Sequence, residues 1–172
     1  DTIVRMHAVD IQKHGLTSLG KPEDFVERQV KGWTERWQRS QTTPLPEMDE
    51  VAEWMVKTLP RELPPTLVHN DFKLDNIMLD EHDPSRVVAV LDWEMTTVGD
   101  PLIDVGLTLC YWGLGGAPHL TGEDAEGMMS GPGWFTREEF VDRYASRTGR
   151  DLSAIGWHEV LGYFKLAVIL QQ

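Results

Sequence analysis

Six polar residues, His69, Asn70, Asp71, Lys73, Asp75 and Asn76, crowd between two short apolar runs in the stretch LVHNDFKLDNIML. A further carboxylate, Asp92, closes a second apolar run, Val87 to Leu91. Asp83-Pro84-Ser85 is a turn signal, so residues 76–79 and 87–91 are expected to pair as a β-hairpin. A turn centred near Asp83 sets residue 76 opposite residue 90 or 91. Asn76 and Asp92 then share one open end, and Asp71 sits in the loop that leads into it. Two carboxylates and an amide oxygen, with no second His or Cys nearby, form a hard-oxygen donor set. Such a set suits Mg²⁺, which takes one or two protein carboxylates together with phosphate oxygens. It lacks the softer ligands that zinc prefers.

The same residues meet the needs of phosphoryl transfer. That reaction needs a positioned nucleophilic hydroxyl, an acceptor for its proton, and neutralisation of phosphate charge. The spacing His69-x-Asp71-x4-Asn76 matches the kinase catalytic-loop pattern, in which the Asp takes the substrate hydroxyl proton and the Asn holds a metal. Asp92 stands where the second metal-holding aspartate belongs.

The surrounding elements read as mostly helical. Residues 2 to 9 form a helix or its end, and Ile11 to Lys21 a loop. Pro22 fits the first position of a helix whose Val26, Val30, Trp33 and Trp37 recur at helical spacing up to about Arg39. A helix from about Pro46 to Leu59 places Val51, Trp54, Met55 and Leu59 on one face. These tryptophan stripes are read as helix–helix core rather than as a ligand groove. Thr66 to His69 is a short strand, and Val87 to Leu91, a continuous apolar run, a strand buried on both faces. Asp100 caps a helix with Pro101 at its first position and a buried stripe of Leu102, Val105, Leu109 and Trp112. Residues 113–133, rich in glycine, are expected to form a long loop or mobile segment. Thr136 and Glu139 make a capping box for a helix ending near Gly149. An apolar helix runs from Trp157 to Leu170. Its uncapped end implies a natural chain that continues.

Composition narrows the function. The 172 residues carry a net charge of −12, which leaves no basic face for nucleic acid. The bland reading of that charge is solubility, although it would also favour a cationic ligand. No run approaches the roughly 20 apolar residues that span a bilayer. Cys110 is the single cysteine, so no internal disulfide forms, as suits a reducing cytoplasm. The length fits one domain, residues 1–172.

The motif LVHNDFKLDNIML, followed by VVAVLDWEMTTVGDPLIDVGLTL, closely resembles the aminoglycoside phosphotransferase and choline kinase-like family. It is most similar to the branch fused to acyl-CoA dehydrogenases. VRMHAVDI and YFKLAVIL resemble helices of the same family. The resemblance implies an α+β, mostly helical fold: the C-terminal lobe of a protein-kinase-like fold with a small catalytic hairpin. It implies Asp71 as catalytic base and Asn76 and Asp92 as Mg²⁺ ligands for an ATP phosphoryl donor. It also implies His69 as a brace for the loop, and Asp100 and Asp104 as supporting residues. Lys73 either reaches phosphate or pairs with Asp75 in a solvated ion pair. Glu94 is a candidate for the acceptor site. The family's glycine-rich loop and strand lysine have no counterpart before His7. This stretch is therefore expected to lack the N-terminal nucleotide lobe and to be inactive alone.

Three readings stay open at this level. The chain is the catalytic lobe of an ATP-dependent kinase for a hydroxylated small molecule, a degenerate lobe kept as a binding module, or a metal-dependent phosphohydrolase. Hydrolases with two metals usually need more ligands than these three. The acceptor ranges over aminoglycosides, amino alcohols held in an acidic or aromatic cage and hydroxyacyl compounds. A hydroxylated metabolite ranks above an antibiotic.

Overall fold

The computed structural model describes residues 1–114 and 133–171. In chain order these form helix α1 (Thr2–His7), α2 (Phe25–Ser40), α3 (Pro46–Lys57) and strand β1 (Thr66–Val68), then strands β2 (Ile77–Leu79), β3 (Val87–Val90) and β4 (Thr97–Gly99). Helices α4 (Leu102–Leu114), α5 (Arg137–Thr148) and α6 (Ile155–Gln171) follow. The architecture is α+β and mostly helical, with two separate two-stranded antiparallel sheets, β1–β4 and β2–β3. The glycine-rich stretch expected as a long loop lies outside the described residues, apart from residues 113, 114 and 133.

Alternation along β1 ties the polar loop that follows it to two hydrophobic clusters. Val68 enters a cluster with Phe25, Val26, Val30, Trp33, Trp37 and Met55 from α2 and α3, and with Leu161, Phe164 and Val168 from α6. Leu67 points the other way, into a cluster with Ile3, Met6, Phe72, Leu102, Val105, Leu109 and Tyr144. Successive strand side chains point to opposite faces, so one short strand is locked from both sides. Helix α4 joins the two clusters and is buried all round from Leu102 to Cys110. It crosses α6 closely through Gly106: a Cβ there would stand 2.6 Å from the carbonyl carbon of His158.

Several elements differ from the sequence reading. Pro22 precedes α2 rather than opening it. The helix starts at Phe25 after Asp24, whose φ is 50°, and the amide of Val26 donates to the Glu62 carboxylate at 2.7 Å. On α3 the buried residues are Ala52 and Met55, whereas Trp54 and Leu59 are exposed. Trp54 instead lies beside Trp157, with ring centroids 6.5 Å apart. Strand β4 was not expected. Thr97, Val98 and Gly99 pair with Val68, Leu67 and Thr66. β3 is not buried on both faces: its Val88 is exposed, as are Leu91 just beyond it and Met78 and Leu79 on the paired strand β2. The hairpin register is the expected one, Ile77 opposite Val90, and the Leu91 amide donates to the Asn76 carbonyl at 2.8 Å.

Candidate active site

The loop between β1 and β2 is held from below by one buried carboxylate. Asp104, fully buried on α4, accepts the backbone N–H of His69 and of Asn70, each at 2.7 Å. It also accepts Nε2–H of His7 at 3.1 Å. The order of donors fixes the chain behind it. Arg150 donates to the Tyr144 hydroxyl at 3.4 Å, the hydroxyl bonds His7 Nδ1 at 2.7 Å, and His7 passes the link to Asp104. Burial pushes the Tyr144 phenol up to about 12, so it stays a donor. These two clusters of charge-assisted bonds connect α1, α4, α5 and the loop. Sequence reading placed Asp104 as a supporting residue but missed His7 and Tyr144. Both are buried polar groups on amphipathic helices, and only their convergence from distant parts of the chain marks them.

The loop itself turns at Asn70, whose φ of 67° is a left-handed conformation that Asn adopts more readily than most residues. The Asn70 Nδ2 donates to the Met95 carbonyl at 2.9 Å, while its Oδ1 is buried without a hydrogen-bond partner. His69, completely buried, braces the hairpin: its Nε2 donates to the Leu91 carbonyl at 2.9 Å and its Nδ1 accepts the Asp71 amide at 3.3 Å. Both ring nitrogens are thus occupied by backbone, which fits a brace and leaves no free nitrogen for a proton shuttle.

Asp71 gathers three donors. Lys73 Nζ lies 2.9 Å from Oδ2, Asn76 Nδ2 lies 2.9 Å from the same oxygen, and the Tyr111 hydroxyl lies 3.4 Å from Oδ1. Asn76 Nδ2 also donates to the Asp71 carbonyl at 2.8 Å. Lys73 pairs with Asp71 and not with Asp75. Burial works against its ammonium, but the bond to Asp71 and the nearby acidic groups outweigh it, so its pKa is raised. The Lys73 ammonium also lies 5.5 Å from the Tyr111 ring centroid. Burial first, and then the Asp71 charge, raise the Tyr111 pKa, which keeps its phenol protonated.

Asn76 is buried, and with its nitrogen committed to Asp71 its Oδ1 makes no hydrogen bond among the described residues. The 2.8 Å bond between the Leu91 amide and the Asn76 carbonyl puts Asp92 next to Asn76. Asp92 is exposed, sits at φ 63° and has no ion-pair partner among the described residues. A strained, unpaired carboxylate beside a free amide oxygen fits a hard cation. Among the described residues no group of three His, Cys, Asp or Glu is placed to hold a metal ion. Asp100 supports from a distance: its Oδ1 caps the Leu102 amide and its Oδ2 accepts the Leu63 amide, both at 2.8 Å. Glu94 is exposed on the turn Trp93–Met95. Its neighbour Met95, rather than Glu94, lines the cavity that Asn70 borders.

Together the fold and this loop define a protein-kinase-like phosphotransferase lobe. The comparisons with known proteins make the assignment specific. Residues 1–158 match the model of the phosphotransferase enzyme family, and the chain belongs to that family. It is 35% identical over 171 residues to acyl-CoA dehydrogenase family member 10 of Mus musculus, covering 98% of this chain and 16% of that protein. It is 33% identical over 176 residues to acyl-CoA dehydrogenase family member 11 of Homo sapiens, covering 99% of this chain and 22% of that protein. These are the fused branch. A Ralstonia eutropha structure described as an aminoglycoside phosphotransferase superposes with TM-score 0.85 at 33% identity, covering 98% of this chain and 51% of that one. Macrolide 2'-phosphotransferase type I, at 17% identity and TM-score 0.65, covering 97% of this chain and 48% of that one, shares the fold. The chain thus spans about half of these solved structures and about a fifth or less of the curated relatives.

Proposed function

We propose that this chain is the catalytic, acceptor-side lobe of an ATP- and Mg²⁺-dependent kinase acting on a hydroxyl of a small molecule. The observation that carries the reading is the cluster at Asp71. One carboxylate is fixed by Lys73 and Asn76 at 2.9 Å each, in a loop whose hairpin brings Asp92 alongside. In this reading Asp71 orients the acceptor hydroxyl and takes its proton as the oxygen bonds to the γ-phosphorus and the bond from that phosphorus to the ADP oxygen breaks. Lys73, held between Asp71 and solvent, meets the negative charge of the transferred group. Asn76 Oδ1 and Asp92 are the ligands offered to Mg²⁺, which when bound neutralises phosphate charge. His69, Asp100 and Asp104 position the loop without touching the reacting atoms.

Two further parts belong to the proposal. The exposed apolar side chains of the hairpin, Met78, Leu79, Val88 and Leu91, receive a nucleotide-binding lobe of the same protein, and without it this chain alone is inactive. The setting is the cytoplasm. Cys110 is a buried free thiol, as suits a reducing compartment. The test is a ³¹P NMR assay of the complete natural polypeptide with MgATP and a panel of acceptors: hydroxy acids, amino alcohols and aminoglycosides. A phosphate monoester formed only with acceptor present is expected. ATP consumption that gives only inorganic phosphate with every acceptor would overturn it.

A further inference from the structure

The cavity that Asn70 borders lies on the side of α2 and α6. It has a volume of about 380 Å³ and is lined by Arg28, Trp33, Arg36, Asn70, Met95 and Lys165, among others. Its charge is opposite to that of the chain. The whole sequence carries −12, yet the cavity wall holds three cationic side chains and no carboxylate. A local potential of that sign, set in a concave wall, selects anions.

Lys165 is the unusual member. It is only 5% exposed, and among the described residues it has neither a salt bridge nor a hydrogen bond. A buried ammonium without a partner is costly, and long cationic side chains normally carry their charge out to water. Compensation comes from the Trp33 ring, 5.3 Å from Nζ, and from the Asp104 and Asp71 carboxylates, whose charges favour the ammonium without pairing with it. Arg36 lies over the same ring at 4.4 Å. The aromatic face is therefore already occupied by two protein cations, so it is closed to a quaternary or primary ammonium ligand that would need it as a cage. Asn70 also lines the cavity, and its Oδ1 is a buried polar atom with no hydrogen-bond partner. Asn70 precedes Asp71 directly, so a molecule lodged against Lys165 and Asn70 reaches the proposed phosphoryl-transfer site.

We propose that this cavity is an acceptor subsite for an anionic group. On the reading above, the acceptor carries a hydroxyl presented to Asp71 and, a few bonds away, a carboxylate or phosphate held by Lys165 and Arg36. Arg28 stands at the wall as a third charge. An amino alcohol or a polycationic aminoglycoside meets three like charges here and is rejected.

The test is calorimetric titration of the complete natural polypeptide with phenyl phosphate, benzoate and benzylammonium, with and without a non-hydrolysable MgATP analogue. Either or both of the two anions bind, and the tighter one identifies the charged group. Benzylammonium does not bind. Lys165→Met, which keeps the length of the side chain, and Arg36→Gln, at the surface, each raise the anion Kd at least tenfold. The nucleotide analogue leaves anion binding in place. Tighter binding of benzylammonium, an unchanged Kd in both variants, or displacement of the anion by the nucleotide analogue would each overturn the subsite. Displacement would give the cavity to the nucleotide phosphates instead. Absence of phosphate transfer to any acceptor sinks the kinase reading while these binding results stand on their own.

Discussion

Replacing Asp104 by alanine removes the single carboxylate on which two backbone amides of the loop and the ring of His7 depend. The His69 and His7 donors are buried and the Asn70 amide half-buried, and no other acceptor lies among their hydrogen bonds. Hydrogen bonds to a charged group contribute about 1.5–3 kcal/mol each, but three losses at one group are not additive. The relevant scale is that of breaking a buried charged pairing, about 3–5 kcal/mol. With a urea dependence of about 2 kcal/mol per molar, the middle of the usual range, the unfolding midpoint is expected to fall by roughly 1.5–2.5 M. Asp104→Asn keeps one acceptor but turns an amide nitrogen towards a donor, so about 2–3 kcal/mol is expected. Hydrogen exchange separates local from global effects: the His69 and Asn70 amides should lose protection in both variants before the core does. Phosphate transfer should fall through kcat more than through the nucleotide KM, because Asp104 touches no substrate. An alanine variant within about 0.5 kcal/mol of the parent, the range of a neutral surface change, would refute the role of Asp104 as the loop's anchor.

The other predictions concern single positions. Gly106→Ala gains about 1 kcal/mol of helix propensity but drives a Cβ into the His158 backbone, so a net loss of about 1–2 kcal/mol is expected in urea unfolding. Gly32→Ala, with no heavy atom within 4 Å of its added Cβ, should instead gain about 0.5–1 kcal/mol. Lys165→Met should stabilise the protein, and the gap should depend on pH. Burial lowers the Lys165 pKa below 10.5, against the raising effect of Asp104 and Asp71 and with a smaller lowering effect of Arg36. The unfolded chain therefore binds more protons here, and the parent recovers stability as pH rises from the lowered value towards 10.5. A gap that stays constant to pH 10.5 would contradict this. Thr136→Ala removes the hydroxyl that accepts the Glu139 amide in the capping box on α5 and should cost about 1 kcal/mol, read as a lower unfolding midpoint.

What the sequence disclosed depended on how local the cause was. The capping box at Thr136 and Glu139 and the Gly149 terminus are one-turn signals, and they bound α5 as expected. The hairpin register followed from turn chemistry at Asp83 and from period-2 pairing, and it put Asn76 and Asp92 side by side. Asp100 as a helix cap was equally local, although its second bond, to Leu63, was not. Failures came where tertiary context decides. Three residues of β4 carry no pattern of their own and become a strand only because β1 needs a partner. Trp54 fits the apolar stripe of α3, but smaller Ala52 faces the core because α2 packs closely there. The run Val87 to Leu91 looked buried on both faces, since the sequence shows apolarity and not what covers it. Lys73 had Asp71 and Asp75 equally near in sequence, and the turn Leu74–Asn76 settled the choice for Asp71. The His7–Tyr144 link and the isolated Lys165 join positions far apart in the chain, and no spacing rule reaches them.

The central claim, that Asp71 does the chemistry while Asn76 and Asp92 serve the metal–nucleotide side, is tested most directly by one variant. In the complete natural polypeptide, Asp71→Asn should lower kcat for MgATP-dependent phosphate transfer by about 10²–10⁴-fold and leave the affinity for the MgATP analogue within about threefold. An Asp71→Asn enzyme that turns over at the parental rate, or one that loses transfer only because it no longer binds nucleotide, would contradict the account.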